Sequence, residues 1–395
     1  MLSIDKSILW DGGEAQERMK EYGKIAEELH IIVYTAPGFN EKKISENVWI
    51  YPTNTVFKLF YFFNAYRIGK RLVRSRPDLE TRKVGSWAWL ITSQDAFTNI
   101  VAVILKKKFG IPFQAQIHTD FLSPYFKKES WKNYIRYLLY SWSVKKADCT
   151  RVVSERIKKS LISIFHAPQS KVTVLPIFVD IEKIKKTPVT VDLHKKYPGY
   201  DFIILMASRL TREKNIETAC RAMAGVSQKF PKTLLLIVGD GPQKKILKEK
   251  YENLVKSYFP KGSRTSKYSN IIFEDAVLYE TLISYYKTAD FFLLTSSYEG
   301  YGRTIIEALA AGLPVFSTNV GVAKEIIKDG ETGIIFKEHN SKEIASGITE
   351  VLSGNKLGGM KLKTREFAKI FLLSSKEEYL KKMKEDFEKC NNSAN

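Results

Sequence analysis

Phe291-Phe-Leu-Leu-Thr-Ser-Ser-Tyr-Glu299-Gly300-Tyr301-Gly302-Arg303-Thr304-Ile305-Ile306-Glu307-Ala-Leu-Ala-Ala-Gly312-Leu-Pro314 reads, in order, as a strand, a glycine loop and a helix. The apolar run Phe291–Thr295 suits a strand buried on both faces of a parallel sheet. Gly300 and Gly302 let the backbone come close to a ligand, and a helix is expected over Thr304–Ala311 until Gly312-x-Pro314 stops it. The amides of Arg303, Thr304 and Ile305 would then stand at a helix start, where the dipole favours a phosphate. Glu299 on the loop and Glu307 in the first turn can accept hydroxyl hydrogen bonds at two points of one ligand. Thr304-x-x-Glu307 also fits a capping box, so the residues alone leave two readings of Glu307 open.

The same alternation extends outward to both ends of the chain, the pattern of parallel sheets covered on both faces. Strands are expected at Leu2–Leu9, Ile31–Thr35, Val48–Tyr51, Ala88–Thr92, Phe113–Ile117, Cys149–Val153 and Val172–Leu175. Helices are expected near Glu14–Leu29, Val56–Arg74, Ala96–Lys108, Trp131–Lys146 and Glu155–Ile164. After an irregular, proline-bearing stretch, strands restart at Asp201–Ala207, Lys232–Val238, Ile271–Glu274, Phe291–Thr295 and Pro314–Ser317. Helices at Asn215–Lys229, Gln243–Tyr258, Glu280–Lys287 and Val322–Lys328 separate them. This divides the chain into α/β domains over 1–178 and 200–365, a linker over 179–199 and a charged helical tail over 366–395. Both domains read as doubly wound, Rossmann-like sheets. Such sheets bind ligands beyond the carboxyl ends of their strands, so a cleft between the two domains is expected.

With 44% hydrophobic and 27% charged residues among 395, the composition is that of a globular protein and excludes a disordered chain. Cys149, Cys220 and Cys390 stand far apart, which argues for a reducing compartment and against a disulfide or zinc framework. The five histidines show no metal-ligand spacing, so no metal site is expected. Met1–Trp10 carries Asp5 and Lys6 and no signal-peptide core, and no apolar run approaches the roughly 18 residues of a spanning helix. A cytoplasmic protein is the expectation. The net charge is +20, and Thr55–Gly110 alone holds eleven Lys and Arg against Asp78, Glu80 and Asp95, a local +8. Such a field favours nucleotide diphosphates, acidic lipid headgroups or nucleic acid.

Four further segments end strands. Ala207-Ser-Arg209-Leu-x-x-x-Lys214 places two long cations on a strand-to-helix loop, as a diphosphate leaving group requires when its negative charge builds up. A solvated basic loop is the plainer alternative. Asp11-Gly12-Gly13-Glu14 is a turn whose amides can approach a phosphate. Val238-Gly239-Asp240-Gly241-Pro242 reads as a tight turn capping the next helix. Gln116-Ile-His118-Thr-Asp120 puts a polar cluster after an apolar strand.

Together these segments resemble the retaining glycosyltransferases of GT-B fold, the family 4 (group 1) enzymes, over nearly the whole chain. The resemblance implies two Rossmann-like domains facing across a cleft, with the donor held mainly by the second and the acceptor mainly by the first. It implies transfer from a nucleotide diphosphate sugar, UDP-linked by default, with retention, a front-face mechanism and no metal. No cofactor is implied, since the nucleotide sugar is a substrate. Residue by residue, it implies that Glu307 binds the donor ribose and that Glu299 holds the transferred sugar, with Gly300, Tyr301 and Gly302 among the donor-binding residues. The amides of Arg303, Thr304 and Ile305 would bind the distal phosphate, and Arg209 and Lys214 the diphosphate. Gly13 would approach the phosphate from the first domain, Gly239 line the donor pocket, Val277 meet the base and His118 contact the sugar. The tail helix would pack back toward the first domain. Asp275 stands where the family usually has glycine, and Ile177 replaces an asparagine in Leu175-Pro176-Ile-Phe-Val-Asp180. The lysine that glycogen synthases carry near Gly13 is absent.

Two rival readings remain at this level. A nucleotide-sugar epimerase shares the architecture but would not need an acceptor. A nucleic-acid-binding protein would explain the charge yet not the paired glutamates. Val56–Arg76 interleaves aromatic and basic residues, and reads equally as a helix lying on an anionic membrane or as a core helix with a basic end.

Overall fold

The computed structural model describes residues 1–75, 89–258, 270–337, 339–370 and 375–392. Arg76, Asp78, Glu80 and Ala88 lie outside these. The chain divides into two compact units, Met1–Pro176 with Ser374–Asn395, and Ile177–Leu373.

In chain order the first unit holds β1 (Leu2–Ser3), α1 (Glu14–Gly23), β2 (Leu29–Val33), β3 (Lys42–Ser45), β4 (Val48–Pro52), α2 (Phe60–Arg74) and β5 (Ile91–Ser93). It continues with α3 (Ala96–Phe109), β6 (Phe113–Ile117), α4 (Pro124–Glu129), α5 (Trp131–Val144), β7 (Cys149–Val152), α6 (Glu155–Phe165) and β8 (Val172–Val174). Its sheet runs β3-β4-β2-β1-β5-β6-β7-β8, parallel except for β3 against β4. Local chemistry sets several boundaries. The strand expected over Leu2–Leu9 stops at Ser3 because Asp5 caps a 3-10 turn at Lys6–Leu9, taking a hydrogen bond from the Ser7 amide at 3.0 Å. The helix expected to reach Leu29 stops at Gly23, where Asn47 Nδ2 donates to the carbonyls of Gly23 (2.8 Å) and Ala26 (2.9 Å). α3 begins in a capping box between Asp95 and Thr98 and ends at Gly110 in the left-handed region.

α2 starts four residues later than expected and buries Ala65, Ile68 and Gly69 in the core. Its start, Phe60 and Phe63, stays exposed together with Val56, Phe57 and Leu59 ahead of it. The helix therefore packs on one face and presents a free aromatic end on the other.

The second unit holds α7 (Ile181–Lys186), α8 (Leu193–Lys196), β9 (Phe202–Ala207), α9 (Ile216–Lys229), β10 (Thr233–Val238), α10 (Lys244–Tyr258), β11 (Ile271–Glu274) and α11 (Tyr279–Thr288). Then follow β12 (Phe291–Leu294), α12 (Arg303–Ala310), β13 (Val315–Thr318), α13 (Ala323–Ile326), β14 (Gly333–Phe336), α14 (Ser341–Ser353) and α15 (Lys356–Ile370). The parallel order β11-β10-β9-β12-β13-β14 reverses direction between β9 and β12, the switch point of a doubly wound sheet. Every residue of β9 but Phe202, and all of β10 and β12, is buried, which is why these strands read as unbroken apolar runs. One core packs α9 and α14 on one face of this sheet, and another packs α11 and α12 on the opposite face.

The stretch expected to be a linker, residues 179–199, instead folds onto the second unit as α7 and α8. Lys183 pairs with Glu280 at 2.8 Å and Lys196 with Glu274 at 2.6 Å. The tail consists of two helices, α15 on the second unit and α16 (Lys376–Asn392) on the first. α16 seats Asp386 against Gln114 Nε2 (2.9 Å) and the Tyr379 hydroxyl against Arg151 (2.8 Å). It also joins Cys390 to Cys149 in a disulfide with Cα atoms 5.5 Å apart. This corrects the expectation of unpaired cysteines: a sequence separation of 241 conceals the contact, because the tail returns to the strand that began the pairing. No helix among the described residues is long and apolar enough to cross a membrane.

Candidate active site

The switch point of the second sheet is where the sequence-read residues gather. The loop leaving β9 is held to the loop leaving β12 by Thr295, whose hydroxyl donates to the carbonyls of Lys214 (3.1 Å) and Asn215 (3.0 Å). The Ser297 amide adds a bond to the Glu213 carbonyl at 2.7 Å. Across this seam Lys214 Nζ meets Glu299 Oε1 at 2.5 Å, and Ser296 Oγ donates to the same oxygen at 2.7 Å. The two charged side chains are only 16% and 14% exposed, so their attraction is less screened than that of a surface pair. Gly321 makes room for the loop: at φ +51° a Cβ there would lie 2.3 Å from the Tyr301 carbonyl oxygen and 3.2 Å from the Glu299 Cβ. Arg209, by contrast, is 80% exposed and only loosely paired, at 3.8 Å from Glu213. Its guanidinium is free to turn toward a ligand.

Glu307 sits in a second cluster. α12 starts at Arg303 after Gly302, with no side-chain cap, so the capping-box reading of Glu307 is not realised. Its carboxylate instead accepts from Arg303 Nε (2.7 Å), the Tyr279 hydroxyl (3.2 Å) and the Tyr286 hydroxyl (3.1 Å). Burial pushes its pKa above the usual carboxylate value, opposed by Arg303 and the tyrosine hydroxyls. Three donors leave one acceptor position of the carboxylate, on Oε2, unfilled among these bonds. Tyr279 and Tyr286, seven residues apart on one face of α11, were missed in the sequence. Their i, i+7 spacing was the available signal.

Two backbone expectations need correction. The Ile305 amide bonds the Gly302 carbonyl at 2.9 Å, because the first turn closes tightly, and so is not available to a phosphate. The Gly13 amide donates to the Trp10 carbonyl at 3.2 Å, and Gly13 has an ordinary φ of −73°. Gly12 is the left-handed residue of that turn, at φ +72°. Gly239 is demanded by packing: a Cβ at its φ of +144° would fall 2.0 Å from the Ser208 carbonyl oxygen. Asp240 accepts from the Gly241 amide at 2.7 Å, as a turn residue does. Val277 is half-buried against the core of α11 and α12, and Asp275 pairs with Lys244. Tyr301 is buried and its carbonyl accepts from the Val322 amide at 2.9 Å.

His118 and Gly13 belong to the first unit. His118 follows β6, with its Nε2 buried and unpartnered. Desolvation, with the positive charges of Arg151 and Arg18, pushes its pKa down to about 3, so the imidazole is neutral. Two residues on, Asp120 is buried, with Oδ2 3.4 Å from Arg156 Nε and Oδ1 unpartnered. Two shielded polar atoms without partners at one strand end mark a place that a polar ligand would satisfy. Among the described residues, no cluster of three His, Cys, Asp or Glu has the arrangement to hold a metal ion.

Residues 194–369 match the family described as glycosyl transferases group 1, and residues 26–183 match glycosyltransferase family 4. An uncharacterized glycosyltransferase of Methanocaldococcus jannaschii is 32% identical over 51% of this chain and 50% of its own length. Alpha-monoglucosyldiacylglycerol synthase of Acholeplasma laidlawii is 24% identical over 68% of this chain and 67% of its own. These matches thus span half to two thirds of the curated relatives. The crystal structure of Anabaena HepE in complex with UDP and glucose superposes with a TM-score of 0.66 at 17% identity, over 97% of this chain and 98% of that one.

Proposed function

Since the chain belongs to the family 4 (group 1) glycosyltransferases of GT-B fold, we propose that it moves a sugar from a nucleotide diphosphate sugar, UDP-linked by default, onto an acceptor hydroxyl with retention. The observation that carries this reading is the shielded Lys214–Glu299 pair at the switch point, beside exposed Arg209. The cations serve the leaving diphosphate, Glu299 the transferred sugar, and Glu307 the ribose through its unfilled acceptor position. The bond from C1 to the diphosphate oxygen breaks as C1 bonds the acceptor oxygen on the same face. The acceptor's proton passes to the departing phosphate oxygen, and the protein contributes positioning and charge stabilisation. The acceptor is a glycan, a lipid-linked group or a small molecule. A lipid is favoured by the diacylglycerol named in one relative, and UDP by the nucleotide named in the structural neighbour.

Because Arg209, Lys214 and the α12 start would supply the positive charge that a metal ion otherwise brings, transfer should continue in excess EDTA. An α-linked donor should give an α-glycoside, read from the anomeric proton coupling by NMR. Activity abolished by EDTA and restored by magnesium or manganese would refute the phosphate assignment. A β-linked product would refute retention. Incubation of donor without acceptor separates an epimerase, which would convert the donor sugar unaided.

His118 acts in this scheme as a neutral hydrogen-bonding group. Its lowered pKa means that protonation favours the unfolded chain below the usual histidine value near 6.5, while the folded site stays neutral down to about 3. The pH–rate profiles of the native chain and His118→Asn should therefore share one shape between about pH 5 and 8, differing only in height. An inflection near the ordinary histidine pKa that vanishes in the variant would show a protonated imidazole at work.

A further inference from the structure

The outward face of α5 takes no part in this site. Its inner face buries Asn133, Tyr140, Ser143 and Val144, with Asn99 of α3 donating to Ser143 Oγ at 2.9 Å. On the opposite face Trp131, Tyr134, Leu138 and Trp142 follow one another at helical spacing and are 70%, 52%, 48% and 41% exposed. Single exposed apolar residues are ordinary, but a stripe of four large ones on one helix marks an interaction surface. Residues 124–146 carry six Lys and Arg against one acid, Glu129. The free aromatic start of α2 belongs to the same side of the sheet. Phe62 of α2 meets Phe97 of α3 with ring centroids 6.3 Å apart, and Arg136 of α5 lies 5.5 Å from the same ring, so α2 and α5 flank α3.

We propose that this face docks on an anionic lipid bilayer, with α5 lying in the interface and Phe57, Leu59 and Phe60 as a second point of entry. The composition is that of an interfacial helix: Trp, Tyr and Leu toward the acyl boundary, Lys and Arg toward headgroups. Charge chooses the occupant. A second copy of a chain of net charge +20 would bring like charges together, whereas an anionic surface neutralises them. Docking would set the first unit against a surface that holds lipid acceptors, yet it needs neither donor nor turnover. It therefore stands or falls apart from the transfer reading.

The test is co-sedimentation of the full chain with phosphatidylcholine vesicles and with vesicles containing roughly one-third phosphatidylglycerol, without nucleotide. Binding is expected on the anionic vesicles only and should weaken with salt, since screening shortens the reach of surface charge to about 8 Å at physiological ionic strength. Trp131→Ser/Trp142→Ser should bind about ten-fold more weakly at an unchanged melting temperature. Lys128→Glu/Lys132→Glu, which keeps all four large apolar side chains of the stripe, should lose binding as well. Equal recovery on neutral and anionic vesicles, no recovery on either, or binding unchanged in both variants overturns the proposal. Concentration-dependent dimerisation abolished by the tryptophan variant would overturn it too, by giving the face to a second copy.

Discussion

Lys214→Ala should slow sugar transfer by about 30- to 1000-fold, which corresponds to roughly 2–4 kcal/mol of lost transition-state stabilisation. The size follows from where the charge sits. Lys214 is shielded and fixed by Glu299, so it reaches the leaving diphosphate without being reorganised when the bond breaks. Arg209→Ala should have an effect of the same order, because an exposed, loosely held guanidinium gives two hydrogen bonds to one phosphate once it closes on it. The Lys214 variant also leaves Glu299 with the Ser296 hydroxyl as its remaining partner among these bonds, which lowers the melting temperature. Lys214→Met combined with Glu299→Gln separates the two effects: stability should recover while turnover stays lost. Near-normal turnover in both alanine variants would end the assignment of these cations to the diphosphate.

Glu307→Gln should weaken binding of free UDP by about 10- to 100-fold, the worth of a hydrogen bond to a charged group. Glu299→Gln should leave that affinity nearly unchanged and depress turnover instead. The contrast follows from geometry. Glu307 is held by Arg303, Tyr279 and Tyr286 on α12 and α11, away from the Lys214 seam, and has one acceptor position left to offer. An amide keeps the shape of the cluster but turns one acceptor into a donor, which at the Oε1 position faces Arg303 and the Tyr279 hydroxyl and at the Oε2 position the Tyr286 hydroxyl. Titration calorimetry with free nucleotide reads both variants. Unchanged affinity in Glu307→Gln would make the residue a structural anchor between α11 and α12.

Strand positions were legible across much of both sheets, whether the strand is fully or only partly buried. Phe113–Ile117 and Ile271–Glu274 were read to the residue, and the βα unit around Phe291 to within one. A strand was illegible where polarity masks it, as in the edge strand Lys42–Ser45, which pairs antiparallel and needs no apolar alternation. Gly333–Phe336 and the helix after it were missed because glycine and a short run conceal them. Within the site, spacing placed Glu299 and Lys214 on facing loops, since a doubly wound sheet puts both at one switch point. Spacing could not show which amides a turn consumes, as at Ile305 and Gly13. The Cys149–Cys390 pair was illegible for a simpler reason: nothing local in sequence connects a strand in the first half with the last helix.

That last contact also fixes an order of assembly. The first unit is made from both ends of the chain, so on the ribosome it is complete only once α16 has emerged. At about 5–20 residues per second the second unit takes roughly 10–40 s to emerge in between. Throughout that interval Gln114 and Arg151 lack Asp386 and Tyr379, and the Cys149 thiol lacks Cys390. The second unit is an unbroken run of chain and is free to finish first. In doing so it encloses Cys220, whose thiol burial pushes to a pKa of about 12, and so removes the one competing partner before the correct one arrives. Translation thus delivers the two units in one order and completes them in the other.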